Sequence, residues 1–226
     1  MRDAAARMSR ILYVLIAAVA ITACAGTPRP ALRYPVPSDV GDLVTDDARF
    51  SRFAEPVRRD AEADVHAHGD AAARDALFVL AMLDALDDHW PAAVAKLDRI
   101  RAVEPDHVKA IMTGLSIRIG ADGRAHGGAS PGSYAAALER VLVTVPLDEV
   151  RDDLAMLRAM GQTFTPEVCR KMVADAVGPH VHDGTVDFTD AQTIVFQRYA
   201  AVILAPVGAV IDRGLAAHGI GLPAGL

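Results

Sequence analysis

Eight consecutive apolar residues, Ala76-Leu77-Phe78-Val79-Leu80-Ala81-Met82-Leu83, constrain this chain more than any other stretch. A helix that is apolar around its whole circumference has no face to give to water, so other elements have to surround it. The run therefore predicts a central helix with a domain assembled about it. Its neighbour in sequence shows the complementary pattern. Val94, Leu97, Ile100 and Val103 fall on one helical face opposite Lys96, Asp98, Arg99 and Arg101, with Pro91 suited to the first turn and Pro105 as a stop. A further helix is expected from Asp106 through Ile111, Leu115 and Ile119 to Gly120.

The same reading extends to the rest of the chain. Asp46 to His68 places Phe50, Phe53 and Val57 on one face, and Pro56 predicts two short helices there. Asp70 is the expected cap of the central helix. Gly120 to Ser133 contains Gly120, Gly123, Gly127, Gly128 and Gly132 and predicts a loop before a helix over Tyr134 to Val145. Leu147, Val150, Leu154 and Leu157 form the next stripe, with Arg151, Asp152 and Asp153 outside it. Thr165-Pro166 starts a helix carrying Val168, Met172 and Ala176 to Gly178, and Thr189 is the expected cap of a long last helix. Tyr199 to Ile211 is uncharged but too short to cross a bilayer, and it contains Pro206, so it reads as a kinked core helix. The fold class expected is all-α, a stack of helical hairpins.

Part of this stack resembles a tetratricopeptide repeat. Aligning Pro105 with the closing proline of that repeat puts Leu77, Leu80 and Ala81 on the consensus positions of the first helix, and Ala93 and Leu97 on those of the second. Asp84 stands where the repeat carries an aromatic, and Ile100 where it carries a small residue. The resemblance covers residues 70–146 and implies a scaffold whose concave face binds peptides or proteins.

The N-terminus points to a location. Ile11 to Ala23 carries no charge and follows Arg2, Arg7 and Arg10, a basic then apolar arrangement too short to span a membrane. It closes on Ile21-Thr22-Ala23-Cys24, which resembles the lipobox of bacterial lipoproteins. That resemblance implies a signal peptide at residues 1–23, cleavage before Cys24, and lipidation of Cys24, whose fatty chains hold the protein to a membrane. Ala25, rather than aspartate, implies the periplasmic face of the outer membrane. Pro28, Pro30, Pro35 and Pro37 then read as an extended tether over 24–45, leaving 46–226 as the helical domain, with 147–226 its C-terminal helices.

Charge and chemistry narrow the function. Without residues 1–23 the chain carries 20 basic and 28 acidic groups, net −8, and the basic residues are interleaved with acids. Nucleic-acid binding needs clustered Lys and Arg, so no nucleic-acid partner is expected. Gly128-Ala129-Ser130-Pro131-Gly132 matches the spacing of a hydrolase nucleophile elbow. Pro131, however, has no backbone N–H for the oxyanion, so Ser130 or Ser133 reads as a helix cap instead. Cys169, between Val168 and Met172, reads as a small buried apolar residue. No catalytic residue and no cofactor are expected.

Two His-x-His pairs have ligand chemistry. His66 and His68 would diverge by about 200° on a helix, whereas His180, His182 and Asp183 in an extended loop are candidate metal ligands, close to Asp187 and Asp190. The reading that follows is a periplasm-facing lipoprotein, non-enzymatic, acting as an adaptor or assembly factor for envelope proteins in the manner of pilot proteins. A metal-binding periplasmic protein using His180, His182 and Asp183, and a periplasmic immunity protein, are the alternatives.

Overall fold

The computed structural model describes residues 32–105, 108–128, 130–144, 147–217 and 219. Its elements are a strand β1 (Tyr34–Pro35), a 3₁₀ turn (Val40–Val44), helices α1 (Asp47–Ala72), α2 (Arg74–Leu86), α3 (Trp90–Val103), α4 (Val108–Gly127), α5 (Pro131–Thr144), α6 (Leu147–Thr163) and α7 (Pro166–Val177), a strand β2 (Thr185–Val186), and the C-terminal helices α8 (Phe188–Tyr199), α9 (Ala205–Gly208) and α10 (Ile211–Ala217). A π-helical turn, Ala200–Leu204, joins α8 to α9. The fold is all-α: successive helices α1 to α5 pack each on the next, and the C-terminal run α8 to α10 lies along them as a spine.

The central helix is the predicted one. Every residue of α2 from Ala76 to Ala85 is buried, and α2 packs on α1, α3 and α8. Asp84 is buried within it, and its carboxylate accepts from Arg58 on α1 and Lys96 on α3, each at 2.5 Å. The position at which the repeat consensus has an aromatic ring is thus filled by an ion pair joining three helices. On α3 Leu97 and Ile100 are buried, whereas Val103 is exposed.

Four expectations about helix ends are corrected. Pro56 does not divide α1. The helix runs through it, and the backbone departs from helical geometry only at Gly69, at φ 72°. A helix-interior proline costs about 3 kcal/mol, but Phe50, Phe53 and Val57 contribute about 1.5–3 kcal/mol each by burial, and all three need the same continuous face. Asp70 makes no cap, because Arg99 of α3 takes its carboxylate at 2.5 and 2.9 Å, and Ala73, at the N-cap of α2, offers no side-chain cap. Gly120, Gly123 and Gly127 are helical, not loop. They allow close packing: a Cβ on Gly123 would lie 2.5 Å from Tyr134 Cδ1, and one on Gly127 2.5 Å from Ser133 Oγ, both on α5. The cap of α8 is Asp187, which accepts from the Asp190 N–H at 3.0 Å, rather than Thr189.

Other boundaries agree with the sequence. Ser130 accepts from the Ser133 N–H at 3.1 Å and opens α5, and Thr165 accepts from the Val168 N–H to open α7. Leu154 and Leu157 are buried, and Val150 is half-buried. The side chains of Ile111 and Leu147 lie outside the described residues, as do Asp106 and Val145.

The expected tether over 24–45 is corrected from Tyr34 onward. Residues 24–31 lie outside the described residues, but from Tyr34 the chain belongs to the domain. Tyr34 is buried against Phe53 and Phe188, β1 pairs antiparallel with β2, and Val40, Leu43 and Val44 are buried against α1, α7 and α8. Arg198 on the spine locks this strap. It is buried, donates to the Val44 carbonyl and the Asp47 carboxylate, and lies over the Phe50 ring. Proline in 24–45 misled because Pro35 needs no N–H at the edge of a two-stranded pairing.

The spine shows why an apolar helix can contain Pro206. Phe188–Ala216 is long and apolar enough to cross a membrane by length and composition, but 78 % of its most apolar window is buried in protein. Proline lacks the N–H that would bond back one turn, and the π turn before it, in which the Ala205 N–H reaches Ala200 O, absorbs the mismatch. Immediately before that turn Tyr199, fully buried, shares a 2.5 Å hydrogen bond with Ser116 of α4, and burial pushes the phenol pKa above its ordinary value of 10.

Candidate functional site

An open cavity of about 460 Å³ lies where the strap, the chain from Gly178 to Val186 and the start of α8 meet. Its walls are Arg33, His180, His182, Asp187, Thr189 and Asp190. Local sequence explains the scaffold. Gly178–His180 is a 3₁₀ turn, and Asp183-Gly184 then reverses the chain with positive φ at both residues, 52° and 69°. That is the backbone of the two-residue hairpin turn for which Asp-Gly is the strongest short signal. His182 and Thr185 exchange both backbone hydrogen bonds across it, at 3.0 and 2.9 Å. The Val36 N–H donates to Gly184 O at 2.9 Å, so this hairpin is tied to the strap.

The sequence placed His180, His182 and Asp183 in one extended loop with their side chains converging. The structure separates them. His180 sits in the 3₁₀ turn and its Nδ1 lies 3.0 Å from Asp190 Oδ1. His182 is held by the hairpin pairing, and Asp183 occupies the exposed turn and does not line the cavity. Among the described residues no three His, Cys, Asp or Glu side chains come together in a way that could hold a metal ion. The other His-x-His pair lies on α1, where His68 Nδ1 is 2.8 Å from Asp64 Oδ1, and His66 is exposed. Cys24, the expected lipidation site, lies outside the described residues.

Arg33 is the member of the cavity that sequence reasoning missed, because it fell in the supposed tether. The Asp-Gly dipeptide at 183–184 was the signal that would have shown the local geometry.

Electrostatics assign roles within the cavity. Asp190 is buried and accepts from His180, while Asp187 accepts from the Asp190 backbone N–H. The hydrogen bond to Asp190 raises the His180 pKa above 6.5, with the charges of Asp190 and then Asp187 adding to it. A raised folded-state pKa stabilises the fold fully below the unfolded value of 6.5, and that contribution is lost as pH rises through the folded value. His180→Gln is therefore expected to lower the melting temperature at pH below 6.5 and to leave it unchanged in alkaline solution, as a thermal-melt series across pH measures. With His180 intact, Asp190→Asn should return its imidazole titration, followed by NMR, towards 6.5.

Elsewhere the chemistry is muted. Burial pushes the Cys169 thiol up to about 12, so almost no thiolate forms at neutral pH. Ser130 Oγ is 2.7 Å from Ser133 Oγ and is engaged as the cap of α5, following helix α4 rather than a strand. The chain matches no protein-family model, and comparison with curated proteins and with solved structures finds no match.

Proposed function

We propose that this protein is a lipoprotein, fastened through Cys24 to the periplasmic face of the outer membrane, whose all-α domain serves as a non-enzymatic adaptor for other envelope proteins. The observation that carries the reading is Ile21-Thr22-Ala23-Cys24 in register with the charge-free run Ile11 to Ala23 and the arginines before it. The fold bounds how far an anchored domain could stand from the membrane. Tyr34, buried in the domain, lies ten residues beyond Cys24, so the chain between can reach at most about 35 Å. An anchored domain would therefore stand at the membrane surface. The hairpin stack supports the adaptor half, since stacked helical pairs present broad surfaces suited to protein partners.

Palmitate labelling with intact-mass analysis tests the anchor. The mature protein is expected to lack residues 1–23 and to carry acyl chains, and Cys24→Ala to lose all label. A mature chain with a bare Cys24 thiol and its leader still attached sinks the reading. Mild crosslinking and pull-down from envelopes tests the adaptor role: recovery of the protein alone counts against it.

A further inference from the structure

The cavity walled by Arg33, His180, His182, Asp187, Thr189 and Asp190 contains both signs of charge. Each acid has one carboxylate oxygen engaged within the protein: Asp187 Oδ1 accepts from the Asp190 N–H, and Asp190 Oδ1 from His180. Among the described residues no ion pair or side-chain hydrogen bond involves the Arg33 guanidinium, the His182 ring or the Thr189 hydroxyl. His180 uses only Nδ1 on Asp190 and keeps Nε2 for a second partner. The unpartnered donors are a five-donor guanidinium fork, ring nitrogens of both histidines and a hydroxyl. Planar guanidinium and imidazolium donors match an oxyanion of the phosphate type, which accepts several hydrogen bonds at once.

We propose that Arg33, His180, His182 and Thr189 form a binding pocket for a phosphate group, with Asp190 positioning His180. The elements converging on it contribute Arg33 from the lead into β1, His180 from the 3₁₀ turn, His182 from the hairpin, and Asp187, Thr189 and Asp190 from α8. The two carboxylates oppose an anion. Arg33 and protonated His180 balance them. Occupancy falls as the pH rises through the titration of His180, which the bond to Asp190 keeps protonated at higher pH than a free imidazole.

Two sources share this chemistry, a phospholipid headgroup and free phosphate. Arg33 lies nine residues beyond Cys24, within about 30 Å by chain length. If Cys24 is acylated, the pocket is within reach of the headgroups. That nearness rests on the lipoprotein reading, whereas phosphate binding itself does not.

The test uses the full chain in uncharged maltoside micelles, with the His180 and His182 imidazole signals followed by NMR. The probes are inorganic phosphate and dihexanoyl phosphatidylglycerol, each against chloride at equal ionic strength. Saturable shifts with either probe are expected, stronger at about pH 6 than at about pH 8. A response to lipid alone assigns the headgroup, and a response to phosphate alone assigns the free anion. Arg33→Gln, an exposed change that should leave helical circular dichroism intact, is expected to weaken binding about tenfold, and His182→Gln to weaken it similarly. No saturable shift with either probe, or a response that both variants leave unchanged, overturns the proposal. Because no arm requires an acylated Cys24, failure here leaves the anchor reading standing, and loss of the anchor leaves this one standing.

Discussion

Asp84→Ala is expected to lower the melting temperature by about 10 °C, a loss of about 3 kcal/mol in a chain of this size. Asp84 is 4 % exposed and holds two cations, Arg58 of α1 and Lys96 of α3, each at 2.5 Å. Removing the acid leaves Arg58 and Lys96, themselves only about a quarter exposed, without their buried counter-charge. Arg58 keeps an exposed partner in Asp87, which offsets part of the loss. The cost comes from the stranded cations rather than from a lost attraction, since a buried pair contributes little against apolar side chains of similar size. The triple variant Asp84→Leu, Arg58→Met, Lys96→Leu should therefore recover most of the stability lost by Asp84→Ala. Thermal melts of the three proteins check both halves. A wild-type melting temperature for Asp84→Ala, or a triple variant as weak as the single one, contradicts the account.

The second large effect is expected at the crossing of α6 and α9. Gly161 and Gly208 meet backbone to backbone, and a Cβ on Gly208 would lie 2.6 Å from the Gly161 Cα, while one on Gly161 would lie 2.5 Å from the Gly208 Cα. Real Cβ atoms do not approach backbone so closely, and neither helix has a flexible side-chain end there that could give way. Gly208→Val should cost about 3 kcal/mol through forced separation of the helices, seen as a shift of the denaturation midpoint with an unchanged slope. Gly178→Val serves as a control, because nothing lies within 4 Å of a Cβ there. Equal midpoints for the two variants would show that the contact at Gly208 is tolerant.

Sequence patterning was reliable where one face or one whole segment is apolar. The run Ala76 to Leu83, the stripe of Leu97 and Ile100, and the Thr165 and Ser130 caps are local statements, and the structure repeats them. It failed where a residue's role depends on a partner far along the chain. Asp70 looks like a cap in isolation, but Arg99 is 29 residues away and takes it. The glycines at 120, 123 and 127 look like a loop until Trp90 and α5 are placed beside them. Arg33 and Tyr34 look like tether until β2 and Phe188, some 150 residues on, cover Tyr34.

The candidate site divides in the same way. Its histidines and acids were visible as a His-x-His pair followed by aspartates, but their geometry was not. The Asp183-Gly184 turn and the 3₁₀ turn before it send His180 and His182 to separate partners. By itself the sequence determined the helical class, the central helix and the lipobox-like ending at Cys24, because each follows from residue type and spacing within a few turns of chain. The tertiary structure alone decided which proline is tolerated, which glycine is a contact and which donors face the cavity. Those outcomes depend on the balance between a local cost of a few kcal/mol and the burial gained when distant segments pack, and only the assembled fold determines that balance.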